Sequence, residues 1–201
     1  MKKIRILHPE PGYNLAAEKY DKKEKYLGSF EKGQFLPLLG EIAGQKILDV
    51  GAGTGRLVGE MERRGALVTA LDVSPGMLKV LAKKHKHVKI MVGDAENIPS
   101  ENGVYDMVVA AFLVVHLKDP ARFFGEAHRI LKDGGRFIFS NINQKEAPEI
   151  ETEEGTIKIH SYYHRPERVR EILRDMAFEI EKEVMVKEGD VWVNQIMVAR
   201  K

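Results

Sequence analysis

Five short apolar runs recur between residues 46 and 140, at Lys46-Ile47-Leu48-Asp49-Val50, Leu67 to Leu71, Val88 to Val92, Tyr105 to Ala110 and Arg136 to Ser140. They are rich in β-branched residues, lack strict alternation, and have the length of strands buried on both faces. Helical stretches separate them. Two of these begin at Ser74-Pro75 and Asp119-Pro120, each an N-cap residue before a proline whose missing N–H costs nothing in the first turn. Gly65 and the Gly134-Gly135 pair follow helical segments as stops. Strand and helix alternating over 46–141 call for right-handed crossovers, so the expected fold is α/β, a doubly wound and mostly parallel sheet.

The two ends read differently. Residues 14–40 form one or two amphipathic helices placed ahead of the first strand. After Pro166 a helix to about Met176 leads to alternating runs over 178–186 and 191–199, joined by Lys187-Glu188-Gly189-Asp190. That pattern predicts an antiparallel hairpin closing the sheet, for seven strands in all. Residues 142–164 fit the alternation poorly; they are acidic and then run into Thr156 to Tyr163, which reads as a short strand.

Composition narrows the chemistry. With no cysteine, the chain has no disulfide, thiolate metal site or Cys nucleophile. His85 and His87 sit among lysines with no adjoining carboxylate, and no metal is assigned. The 32 Lys and Arg stand against 30 Asp and Glu, leaving +2, which offers no excess for a phosphate backbone. No run reaches the roughly 18 to 20 apolar residues of a membrane span, and the start at Met1-Lys2-Lys3-Ile4-Arg5 lacks a leader's apolar core, so a cytoplasmic location is expected.

The most specific segment is Leu48-Asp49-Val50-Gly51-Ala52-Gly53-Thr54-Gly55-Arg56, where a strand hands over to a helix. Glycines there let backbone approach a ligand at the carboxyl edge of a sheet. The spacing is Gly-x-Gly-x-Gly: a dinucleotide fingerprint would want its third glycine at position 56, and no Gly-Lys-Ser/Thr follows for a Walker loop. Asp49 adds negative charge where a pyrophosphate would lie, which suits a cationic ligand better. Leu71-Asp72-Val73-Ser74 ends the second strand with an acid, Val92-Gly93-Asp94-Ala95 ends the third, and Arg129 to Gly135 holds a Gly-Gly turn ahead of the fifth. In this order the motifs resemble those of class I S-adenosylmethionine-dependent methyltransferases, with the quinone-biosynthesis and small-molecule enzymes as the nearest group.

The resemblance implies a Rossmann-like fold, S-adenosylmethionine as cofactor and S-adenosylhomocysteine as product. It implies cofactor contacts from Asp49, Gly51, Ala52, Gly53, Thr54, Gly55, Val73, Met77, Ala111 and Phe112, with Asp72 accepting from both ribose hydroxyls and Asp94 and Ala95 reading the adenine edge. Tyr20, in Ala16-Ala17-Glu18-Lys19-Tyr20-Asp21, resembles the Tyr-Asp helix that covers the cofactor's amino-acid end; core packing of its ring is the other reading. Asp72 as a helix cap and Asp94 as a turn former also stay open. His116 is the candidate catalytic base, with a loop-holding role beside it.

On this reading residues 1–201 make a single domain: a helical cap or lid over 1–40, a cofactor-binding core over 46–141, a substrate-side insertion over 142–164, and a closing helix and hairpin over 165–201. The leading segment is expected to be mobile without ligand. The acceptor is expected to be a small molecule among Phe112, Asn141, Tyr162, Tyr163 and His116, reached by direct displacement at the methyl carbon. An RNA methyltransferase would share the cofactor domain, but the chain has no Asn/Asp-Pro-Pro-Tyr motif, no Cys nucleophile and no RNA-binding module, and Glu146, Glu149, Glu151, Glu153 and Glu154 crowd the insertion. A noncatalytic S-adenosylmethionine-binding protein is the third reading.

Overall fold

The structure, a computed structural model, describes residues 4–201, with the side chains of residues 23–25 outside the description. The first three residues of the expected cap therefore fall outside it. Strand β1 (Arg5–Leu7), helix α1 (Pro9–Ala16), a 3-10 helix (Ala17–Lys23), α2 (Glu24–Glu31) and a 3-10 turn (Leu36–Leu39) come first. Then follow β2 (Lys46–Val50), α3 (Val58–Arg63), β3 (Leu67–Asp72), α4 (Pro75–Lys84), β4 (Lys89–Val92) and β5 (Tyr105–Ala110). A 3-10 turn (Val114–His116), α5 (Pro120–Ile130) and a long β6 (Leu131–Ile142) complete the parallel part. The chain ends with β7 (Glu149–Thr152), β8 (Gly155–Ile159), α6 (Pro166–Asp175), β9 (Glu179–Glu188) and β10 (Val191–Arg200).

The seven-stranded sheet has the order β4-β3-β2-β5-β6-β10-β9. β2 to β6 run parallel, and β10 pairs antiparallel with both β6 and β9, as the hairpin pattern required. Successive residues of each parallel strand bury into opposite layers, because side chains alternate across a sheet. Ile47, Met107, Val109 and Ile138 meet Phe35, Met61 and Leu78 on one face. Leu48, Val108, Phe137 and Phe139 meet Phe123, Phe124 and Ile172 on the other. The expected caps form: Met77 N–H donates to Ser74 Oγ (3.1 Å) and Ala121 N–H donates to Asp119 Oδ1 (3.1 Å).

Two features differ from the sequence expectation. β6 starts at Leu131, so Gly134 and Gly135 lie within the strand, at a register shift against β5, and do not form a turn ahead of it. Gly134 has φ +76°, and a Cβ at Gly135 would stand 2.9 Å from the Lys132 carbonyl, so the bulge needs both glycines. The second difference is a small separate sheet, β1-β8-β7. β1 lies parallel to β8 with Arg5 opposite Ile157, and β7 and β8 form an antiparallel hairpin. The cap is thus part strand, and the insertion is a hairpin that reaches back to it. Ala16, Ile150, Ile157 and Ile159 form this sheet's own apolar core. No helix among the described residues is long and apolar enough to cross a membrane.

The chain visits β3 and β4 on one side of β2, then returns to place β5 on its other side. That reversal opens a crevice at the carboxyl edge, between the ends of β2 and β5, where open α/β sheets hold ligands.

Candidate active site

At that edge the glycine loop is braced against the end of β3. Gly51 and Ala52 N–H both donate to the Leu71 carbonyl (2.8 and 3.0 Å), and Gly53 N–H donates to Asp72 Oδ2 (2.8 Å). Gly51 has φ +72°, and a Cβ there would meet Leu113 at 3.2 Å. At Gly53, φ +56°, the nearest atom to such a Cβ is the Tyr20 ring at 4.0 Å. Conformation fixes both as glycine, and Gly51 also packs tightly.

Asp72 is 7% exposed and takes Ser74 N–H on its other oxygen (2.8 Å). Burial raises its pKa while backbone donors pull the other way. Each carboxylate oxygen keeps a lone pair free beyond its backbone donor. Its bond to Ser74 N–H ties it to the start of α4, and the remaining lone pairs leave room for a ligand. Asp94 is exposed, and its Oδ1 accepts Glu96 N–H (2.9 Å) in a turn that its own carbonyl closes with Asn97 N–H (3.1 Å). It forms the turn and still lines the crevice.

The crevice is a cavity of about 410 Å³. Tyr20, Gly51, Gly53, Asp72, Val73, Met77, Asp94, Ala95, Ala111, Phe112 and His116 all line it. Asp49, Ala52 and Thr54 line a smaller recess beneath the loop, of about 40 Å³, and Gly55 lines a third with Thr54 and Arg56. Burial pushes the Asp49 carboxyl up to about 7, with Asp72 and Glu31 raising it further and Arg56 opposing them. Arg56 is held by Glu31 of α2 through two 2.8 Å bonds. Three carboxylates, Asp49, Asp72 and Glu31, thus surround the loop with one guanidinium among them. The carboxylates outnumber the guanidinium, so the site would attract a further cation.

Phe112, just past β5, has φ +60°, an uncommon conformation for a bulky residue. Its N–H donates to Ser140 Oγ (2.8 Å), and its ring meets Phe30 of α2 and the Arg56 guanidinium (centroid distances 6.3 and 5.3 Å). The backbone there is turned so that one ring faces both the loop and the cap.

His116 joins segments that the sequence does not bring together. Its Nε2 stands 2.6 Å from Tyr13 Oη, and its Nδ1 stands 2.9 Å from the His160 carbonyl. A carbonyl only accepts, so Nδ1 carries the proton and Nε2 accepts from the Tyr13 hydroxyl. Burial lowers the imidazole's pKa and raises that of Tyr13 well above the usual phenol value. Tyr20 packs edge-on to Tyr13 (5.7 Å) with its own pKa pushed to about 12, chiefly by burial and then by Asp72. Sequence reasoning missed Tyr13 as a site residue, for no local motif links it to a histidine 103 positions away.

Two expected acceptor residues fall elsewhere. Asn141 is 1% exposed on the α6 side of the sheet, where its Nδ2 donates to Gln195 Oε1 (3.0 Å) and the His164 carbonyl (3.1 Å). Tyr163 is 38% exposed and lies against Trp192. The sheet's alternation turns Asn141 into the core, and Tyr163 points away from the cavity that Tyr162 lines.

Comparison with known proteins accords with this geometry. Residues 48–139 match a family model described as a methyltransferase domain. A demethylmenaquinone methyltransferase of Tropheryma whipplei (strain Twist) is 30% identical over 132 residues, 63% of this chain and 55% of that protein. The chain thus spans about half the length of the curated relatives it matches. An S-adenosylmethionine-dependent methyltransferase from Mesorhizobium loti superposes with a TM-score of 0.74 at 19% identity, covering 87% of this chain and 99% of the other. Magnesium protoporphyrin IX methyltransferase from Synechocystis PCC 6803, solved with bound S-adenosylmethionine, superposes at 0.66 and 20% identity, covering 89% of this chain and 79% of that one. The two structural likenesses show the fold, and residues 48–139 are similar to a methyltransferase domain.

Proposed function

We propose that the protein transfers a methyl group from S-adenosylmethionine to a small-molecule acceptor. The observation that carries this reading is the three-carboxylate, one-guanidinium surround of the glycine loop, at the switch point of the sheet. A ligand with an ammonium and a sulfonium suits that surround, and a pyrophosphate would be repelled by it. When bound, the cofactor supplies an electrophilic methyl on a good leaving group. What remains for the chain is to hold and align. Asp72 offers two free lone pairs to vicinal hydroxyls, and Asp94 and Ala95 stand where an adenine edge would be read. Asp49 takes the amino-acid end, and Tyr20 covers it. Orientation and exclusion of water then contribute most of the acceleration. Residues 1–40 act as the cap and 142–164 as the acceptor-side wall of one domain. We place the activity in the cytoplasm, where this cofactor is made and used.

An RNA acceptor finds little support, because two cations of the small sheet are already engaged: Arg5 of β1 pairs with Glu154 (3.0 Å) and Lys158 of β8 with Glu149 (3.7 Å). Calorimetry with S-adenosylhomocysteine and with NADH tests the cofactor reading. Micromolar or tighter S-adenosylhomocysteine binding with at least tenfold weaker NADH binding is expected, and the reverse order would sink it. Incorporation of labelled methyl into small-molecule or RNA pools then decides the acceptor class.

A further inference from the structure

The seven-stranded sheet has two outer strands, β9 and β4, and they are not finished alike. On β9 the side chains of Glu179, Glu181, Lys182, Lys187 and Glu188 are all exposed. Its register against β10 shifts twice, and Lys32 Nζ donates to the Lys187 carbonyl (2.8 Å). Charge, bulges and a covered carbonyl are devices by which a sheet edge refuses a further strand. β4 has none of this beyond Lys89. It keeps an unbroken parallel register with β3 and exposes Ile90 and Val92, at 37% and 56%. Gly93 N–H donates to the Asp72 carbonyl (3.1 Å), so strand alternation turns Met91 toward β3 and leaves the N–H and C=O of Ile90 and Val92 pointing outward.

The two ends of this edge carry opposite charge. Lys86, His87 and Lys89 stand at its start, and Asp94 and Glu96 follow its end. Within the chain, Lys84 and His85 are taken by Asp21 (3.0 Å) and Glu62 (2.7 Å). Lys86, Lys89, Asp94 and Glu96 have no ion-pair partner among the described residues. An edge that is basic at one end and acidic at the other complements itself when run backwards.

We infer that two copies of this chain pair through β4, antiparallel about a two-fold axis at Met91. Facing residues of a continuous sheet must share a face, so Ile90 stands opposite Val92 of the second copy and Met91 opposite its own counterpart. Ile90 and Val92 are the residues whose backbone groups point outward, and each such pair exchanges both of its hydrogen bonds. The same register lays Lys86 and Lys89 of one copy alongside Glu96 and Asp94 of the other. It covers the exposed apolar side chains and sets no like charges opposite one another. The contact is isologous and closes as a dimer, whereas β4 on β9 would leave an edge free at each end and run on as a filament. Gly93, Asp94 and Ala95 carry the end of β4 into the wall of the main cavity, so the pairing braces that wall whatever the cavity binds.

Sedimentation velocity of the full chain over about 1 to 200 µM tests this, and a reversible monomer–dimer equilibrium with a Kd of about 1 to 100 µM is expected for so small an interface. Hydrogen exchange at the highest concentration should slow at the Ile90 and Val92 amides and stay unchanged at Met91. Ile90→Pro removes an outward N–H that the ladder to β3 does not use, so Tm should stay within about 3 °C while the dimer weakens about tenfold or more. Lys86→Glu should weaken it roughly fivefold by facing Glu96 of the second copy, and adding Glu96→Lys should restore it to within about twofold of wild type. If Ile90→Pro lowers Tm further, the charge-reversal pair decides alone. A chain that is monomeric across the whole range leaves the edge to some other strand and overturns the inference. So does a dimer that Ile90→Pro leaves intact, that is indifferent to Lys86→Glu, or that the double variant fails to recover.

Discussion

The half of the molecule that faces the proposed cofactor and the half that faces the proposed acceptor are built by different rules. The first is made from the ends of consecutive strands, and its donors and acceptors lie close in sequence: Gly53 bonds Asp72, Asp72 bonds Ser74, and Gly51 bonds Leu71. The second is assembled from segments far apart. β1 pairs with β8 across some 150 positions, and Tyr13 reaches His116 across 103. Backbone groups dominate the first half and side chains the second. A site made of backbone and glycine holds one ligand in a fixed way, whereas a wall of packed side chains can change its acceptor without disturbing the sheet.

The comparison breaks most visibly if the two halves prove energetically fused. Asp72→Ala deletes the acceptor for two backbone donors and for the proposed hydroxyls, and hydrogen bonds to a charged group contribute about 1.5 to 3 kcal/mol each. S-adenosylhomocysteine affinity should fall on the order of 100-fold by calorimetry, taking the loss as about 2.7 kcal/mol. Amide protection of α1 and β8 in the ligand-free variant should be unchanged if the halves are separate. A variant that loses both would show that the acceptor side depends on the same brace.

The reciprocal variant is Gly12→Leu. A Cβ at Gly12 would lie 2.6 Å from Ile159 Cγ1, so α1 sits on β8 without room for a side chain. Forcing one in should cost about 1 to 3 kcal/mol through displaced packing, or roughly 2 to 10 °C of Tm in a domain of this size. Tyr13 lies on the same helix, and its bond to His116 should loosen. S-adenosylhomocysteine affinity should drop less than about threefold. A Tm within 1 °C of wild type would mean that the small sheet contributes little.

The same division explains what could be read in advance. The parallel strands announce themselves because burial on both faces demands continuous apolar runs, and the site acids follow because they stand at fixed offsets from those runs. β1 could not be read: three residues, Arg5, Ile6 and Leu7, exposed or half-buried, carry no period. Its pairing with β8 is decided by tertiary packing against Ala16 and Ile157. Asn141 was misplaced for a related reason. A polar residue next to a strand end looks like a ligand contact, but its place in β6, opposite Gln195, gave it a buried partner instead. Phe112 was legible as a position though its positive φ was not, since nothing in Ala110-Ala111-Phe112 specifies a left-handed turn.

The smallest effect expected is electrostatic and concerns Asp49. Its carboxyl has an ordinary value near 3.8 and is pushed up to about 7 in the folded chain, first by burial. Between those values the folded protein holds a proton that the unfolded chain has released, so the Asp49 contribution to stability is fully present below about 3.8 and is lost as pH rises through about 7. A cationic ligand reverses the preference, because it favours the charged carboxylate and binds better once the proton has gone. S-adenosylhomocysteine, with its ammonium, should therefore bind about 3- to 10-fold more tightly at pH 8 than at pH 6, a change of at most about 1.4 kcal/mol. The backbone bonds of the glycine loop should be unaffected. Calorimetry in two buffers of different ionisation enthalpy near pH 7 should detect proton release on binding. In Asp49→Asn both the proton release and the slope should disappear, leaving an affinity close to the wild-type value at pH 6. A slope that persists in the variant would move the titrating group to Asp72, whose carboxyl burial also raises, and the cationic end of the ligand with it.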